Sequence, residues 1–234
     1  ARPGQAGAGR AGLAVAAAAA AAVAAIAVAD RDPPWGVGVV WDGVPREAAR
    51  FVADHHLPPT VYNDFDTGSY LNWAWAGAPP TFQDGRALGG VAFVRDCDRI
   101  LRGRGIEPLL ARYRVQTVLT STLFPSSGRI FPSVWHWMTS PAWRLVDASD
   151  ALVFVRAGAA PGVPGLPRRL GWRRIALDGE AVAASRPAAA HAAYTAAVAW
   201  TLAGDTERAR LWRRRARERH PELAAAYAPL LGAE

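Results

Sequence analysis

The densest set of side chains able to do chemistry is the run Tyr62-Asn63-Asp64-Phe65-Asp66-Thr67-Gly68-Ser69-Tyr70, followed by Asp84-Gly85-Arg86. Amide, carboxylate, phenol and guanidinium groups at that density can grip a polar ligand through hydrogen bonds and paired charge. Gly68 allows a second backbone or a ligand to approach closely. Asn63, Asp64, Asp66, Gly68, Tyr70, Asp84 and Arg86 are therefore the candidate binding residues. Plain structural uses stand beside that reading: Asp66 as a helix cap, and Asp84 with Arg86 as an ion pair that fixes a loop. No nucleophile with a base is spelled out, so no catalytic residue is assigned.

Other polar residues do not assemble into recognisable chemistry. His55 and His56 are adjacent at a helix end, where neighbouring side chains diverge by about 100°. His136, His191 and His220 lack ligand-spaced neighbours, and Cys97 is the only cysteine. No metal site, disulfide or cofactor is expected from this pattern. Ser126-Ser127-Gly128 has no nucleophile-elbow context, and the glycine clusters match neither a Walker loop nor a dinucleotide fingerprint.

The candidates must be positioned by short elements. Pro45 and Glu47 open a helix with an apolar stripe at Ala48, Ala49, Phe51 and Val52, running to about His56. Thr60 to Tyr62 reads as a strand ending in the polar cluster, with a short helix capped by Asp66 or Thr67 over Gly68 to Trp75. Thr81 to Gln83 reads as a second strand. A helix over Asp98 to Tyr113 should break at Gly103 to Gly105. Val115 to Thr122 is β-branched and strand-like, and Trp143–Val146 with Leu152–Val155 alternate as a hairpin turned by Asp147 to Asp150. Val37 to Trp41 is a further apolar run.

This alternation predicts an α/β class: a small layered domain with a mixed sheet over residues 31–156. Residues 157–186 are rich in Pro and Gly and read as a linker, with a strand over Leu170 to Leu177. Residues 187–234 read as a helical hairpin and tail.

Residues 1–30 contain an uncharged stretch, Ala11 to Ala29, between Arg10 and Asp30. About nineteen helical residues at about 1.5 Å each nearly span a bilayer core of about 30 Å. One membrane helix is expected, with a cytoplasmic lead carrying Arg2 and Arg10, and the bulk of the chain on the exterior face of the cell membrane. A secretory signal cleaved after Ala27-Val28-Ala29 and a soluble alanine-rich helix are the alternatives. The chain opens on Ala1 and not on Met, as a piece of a longer membrane protein would.

The net charge of +7 comes entirely from arginine, since no lysine occurs. No aromatic–basic interleaving accompanies it, so nucleic acid is not an expected partner; anionic lipid headgroups fit better. The ten tryptophans suit a core, a sugar-binding surface or a membrane interface.

The run from Val61 to Arg86 resembles the exterior C-terminal domain of bacterial membrane proteins in the GT-C glycosyltransferase superfamily, similar to polyprenyl-phosphate-mannosyltransferases. The match rests on Asn63, Gly68, Tyr70, Leu71, Trp73, Asp84, Gly85 and Arg86. The resemblance implies a non-catalytic exterior domain, with a polyprenyl-phosphate sugar or glycan acceptor as ligand and the catalytic acid elsewhere. Asp66-Thr67-Gly68 also resembles the Asp-x-Gly of the oligosaccharyltransferase acceptor motif, without the Trp pair that precedes it there. Residues 190–223 resemble a tetratricopeptide repeat through Ala197, Gly204, Asp205, Ala209, Ala216 and Pro221, with Arg213 where the repeat carries a large apolar residue. That implies a tail able to dock a protein.

Overall fold

The computed structural model describes Ala21, residues 43–86 and residues 89–231; the expected membrane helix and the run Val37 to Trp41 lie outside them. Among the described residues no helix is long and apolar enough to cross a membrane.

Four strands form one mixed sheet in the order β1-β2-β4-β3, where β1 is Val61–Asn63, β2 Thr117–Thr120, β3 Trp143–Asp147 and β4 Leu152–Arg156. β1 runs parallel to β2, and the antiparallel β3–β4 hairpin joins through β4, with an irregularity at Val146. Successive strand residues point to opposite faces. Accordingly Tyr62, Val118, Leu152 and Phe154 enter one apolar cluster, and Val61, Leu119, Val153 and Val155 enter the other. Both faces are covered, which makes an α/β/α layering.

The second cluster is closed by α1 (Arg46–Asp54) and α2 (Phe65–Ala74). Asp150, in the hairpin turn, accepts the Glu47 and Ala48 amides at 2.7 and 3.0 Å and so caps α1 from a distant part of the chain. The first cluster is closed by α3 (Gly90–Leu101), α4 (Ile106–Arg112), α5 (Pro132–Thr139) and four helices of the C-terminal third. The expected break between α3 and α4 is present, with Gly103 and Gly105 at φ +74° and +61°.

Three expectations need correction. Leu170 to Leu177 is not a strand: it lies inside α6 (Arg168–Ser185), an 18-residue helix. Its buried residues Gly171, Trp172, Ile175, Ala176, Gly179 and Ala183 follow helical spacing, and Pro167 stands at its cap. Thr81 to Gln83 does not form a strand; only Thr81 bridges to Val61. The helix after β1 starts at Phe65, capped by Asp64, and not at Gly68 under Asp66 or Thr67.

The stretch 157–167 is pinned to the sheet. The Arg144 guanidinium donates to the carbonyls of Ala159 (3.2 Å), Ala160 (2.9 Å) and Val163. Beyond α6 come α7 (Ala192–Ala203), α8 (Thr206–Arg219), a 3₁₀ turn and α9 (Ala224–Leu231). Gly204, at φ +87°, ends α7, and Asp205 caps α8 by accepting the Arg208 amide at 3.0 Å. Ala197, Ala209, Trp212 and Ala216 are buried where α7 and α8 meet, and Trp200 donates its indole N–H to Glu180 of α6 at 2.6 Å.

Candidate functional site

β1 ends in two buried polar residues that organise everything near them. The Asn63 side chain accepts the Phe82 amide at 2.8 Å and donates to the Gln83 carbonyl at 2.7 Å. Gln83 returns a bond to the Asn63 carbonyl at 3.0 Å. One amide side chain therefore does the work of a strand neighbour, and the segment after Thr81 is held without a ladder. Asp64 accepts the Thr67 amide at 3.1 Å, capping α2, and the Ser121 amide at 2.7 Å, tying β1 to the end of β2. Burial pushes the Asp64 carboxyl above its ordinary value, opposed by those two amide bonds.

Gly68 lies where α2 passes this segment. A Cβ there would sit 1.9 Å from the Gln83 carbonyl oxygen and 2.8 Å from Asp84 Cα. Only glycine allows that approach. The next residue pins the loop again: Asp84 accepts the Arg86 amide and Nε, each at 2.9 Å, and the Arg86 Nη2 as well. Those bonds from Arg86 hold the Asp84 carboxyl below the usual carboxylate range. Asn63, Asp64, Gly68, Asp84 and Arg86 are thus brought together. Asp66 is exposed on the first turn of α2, and Tyr70, half-buried, packs its ring against Trp73 with centroids 5.7 Å apart; neither lines the cleft described next.

Beside Asp84 and Arg86 opens a cleft of about 530 Å³. Its polar lining includes Asn72, Gln83, Asp84 and Arg86, and its aromatic lining is Phe65, Phe82 and Phe93. Phe65 is 53% exposed, and the Arg86 side chain 59%. Planar hydrogen-bonding groups next to open aromatic faces suit a ligand with both hydroxyls and an apolar face. Phe65, Asn72 and Phe93 are absent from the sequence-derived set. Their types carry no chemistry alone, and only the fold gathers them with Arg86 around one cleft.

A second polar knot also escaped the sequence. Glu107 of α4 accepts the His136 imidazole (2.8 Å), the Trp143 indole N–H (2.7 Å) and the Arg156 guanidinium (3.0 Å). Burial works against its charge, but these donors prevail and its carboxyl lies below the ordinary value. With Arg156 stacked over Trp143 at 4.9 Å, the knot fastens α4 and α5 to the sheet edge. Burial drives the Cys97 thiol up to about 12, leaving it unreactive at neutral pH. Among the described residues no three His, Cys, Asp or Glu side chains gather as a metal site.

Compared with protein-family models, curated proteins and solved structures, the chain matches none.

Proposed function

We propose that this chain is a non-catalytic, carbohydrate-binding exterior domain of a membrane glycosyltransferase-like protein. It helps shape the site for an acceptor glycan or a lipid-linked sugar. The observation that carries the reading is the cleft beside Asp84: exposed Phe65 and Arg86 face one opening, with Asn72 and Gln83 between. Sugar rings present apolar C–H faces and hydroxyl edges, which aromatic rings and planar polar groups receive respectively. The uncharged stretch Ala11 to Ala29 supports attachment to a membrane, and the resemblance around Gly68 and Asp84-Gly85-Arg86 supports the superfamily.

A protein-interaction module with a repeat-like tail is the second reading. Every residue from Ala192 to Trp200 is buried. A partner would therefore have to use the outer, arginine-rich face of α8 instead of the inner face of the hairpin.

Titrating the chain with a panel of neutral oligosaccharides, followed by amide NMR, tests the first reading. Saturable shifts at Phe65, Gln83 and Arg86 are expected, lost in Phe65→Ala with the melting temperature unchanged. No saturable binding by any member of the panel overturns the reading.

A further inference from the structure

A different face of the molecule carries an unassigned site. The loop between β2 and α5, the Gly103–Gly105 turn and the start of α7 enclose a cleft of about 480 Å³. Arg102, Arg104, Arg129 and His191 line it. Arg102 is paired with Asp98 at 2.8 Å. Among the described residues no carboxylate pairs with Arg104 or Arg129, although both are exposed at the same opening. Two guanidinium groups without counter-charges among the described residues, beside a third paired with Asp98, make a cationic mouth suited to bidentate contact with phosphate or carboxylate.

A second cavity of about 270 Å³ adjoins that mouth. Arg129, Ile130, Pro132 and His191 line both. Beyond them the walls turn apolar, with Trp135, Val198 and Leu230, the last 46% exposed. The His191 ring and the Tyr227 hydroxyl, 3.0 Å apart, mark the change from charged to apolar lining. The channel is itself amphipathic: cationic at one end and greasy at the other.

We propose that this two-part channel binds a single-chain anionic amphiphile. Its phosphate or carboxylate head meets Arg104 and Arg129, and its alkyl segment lies along Trp135, Val198 and Leu230. Charge complementarity selects the head, and burial of apolar area drives seating of the tail. The site shares no residue with the Asp84–Arg86 cleft, so it stands independently of the carbohydrate reading.

Calorimetric titration of the full 234-residue chain with decyl phosphate, decyl maltoside and inorganic phosphate tests it. Decyl phosphate should bind best, weaken as ionic strength rises, and lose about tenfold or more in affinity in the Arg104→Gln/Arg129→Gln variant. Decanoate in place of decyl phosphate shows whether either head is accepted; binding of one or both supports the site. Leu230→Ser should weaken decyl phosphate and leave inorganic phosphate unchanged. Equal binding of inorganic and decyl phosphate would reduce the channel to an anion site and overturn the proposal. Equal binding of decyl maltoside, or salt-insensitive binding, would reduce it to an apolar patch and overturn it equally. The salt dependence decides the matter on the unaltered chain even if the double variant does not fold.

Discussion

At the end of β1 the backbone is held by buried polar side chains, whereas α6, α7 and α8 are held by alanine and glycine. In the first region Asn63 and Asp64 supply directed bonds to Phe82, Gln83, Thr67 and Ser121. In the second, a run of buried small residues lets helix axes come close, and directed bonds such as Trp200 to Glu180 lie at the margin. Glycine serves both, for different reasons. Gly68 must leave room for a carbonyl oxygen already fixed by Asn63. A Cβ on Gly179 would meet Ala196 N and Ala192 O at 3.0 and 3.1 Å, across a helix contact that would have to yield by only a few tenths of an ångström. Directed bonds fix a position; small-residue packing fixes only a separation.

That contrast can be broken most forcefully at Gly68. Gly68→Ala drives a methyl into the Gln83 carbonyl and should cost about 3 kcal/mol, read as a fall in the urea midpoint. Gly179→Ala, by comparison, should change stability by less than about 1 kcal/mol, because the gain in helix propensity offsets the crowding. Equal losses at the two glycines would refute the distinction drawn between the regions.

Asp64→Ala removes a cap and orphans the Ser121 amide, so a loss of about 2 kcal/mol is expected by chemical denaturation. pH sharpens the same point. The Asp64 and Asp178 carboxyls are both raised by burial, so the folded state holds their protons more tightly than the unfolded chain. Their contribution to stability is fullest below the ordinary carboxyl value of 3.8 and is lost as pH rises through their folded values. Asp84 and Glu107, both lowered, act oppositely: their stabilisation is present above the ordinary range and lost in more acid solution. Denaturation series across pH should therefore show a decline on leaving pH 4 upward that flattens in Asp64→Asn; an unchanged slope in that variant would remove Asp64 as its source.

The smallest effects on stability belong to the cleft. Arg86→Gln should lower the melting temperature slightly, by releasing Asp84, while weakening oligosaccharide binding severalfold. Asp84→Asn should lower the melting temperature. If it leaves affinity intact, Asp84 only holds the loop.

How far the chain could be read before its fold was known depends on whether a signal is local. The β3–β4 hairpin and the Gly103–Gly105 break were visible because alternation and paired glycines act within a few residues. The Asp84–Arg86 pair was visible for the same reason, its members being two positions apart. Asn63 was legible as a polar strand end. Its use as a substitute strand neighbour was not, because that depends on Phe82 and Gln83 arriving from about twenty residues on. α6 was hidden by glycines at 171 and 179, which lower apparent helix propensity and stand where Met138, Leu145 and α7 press against it. Phe65 and Phe93 gave no warning of the cleft, since single phenylalanines on two different helices carry no shared spacing signal.

The Arg144 guanidinium, reaching three successive stations along the stretch 157–167, acts as a clasp across a segment that composition alone would make slack. The C-terminal helices also share their apolar interior with the sheet. A protease that nicks this stretch at its exposed glycines would therefore liberate nothing: the two fragments should co-elute as a native-sized pair and separate only in denaturant.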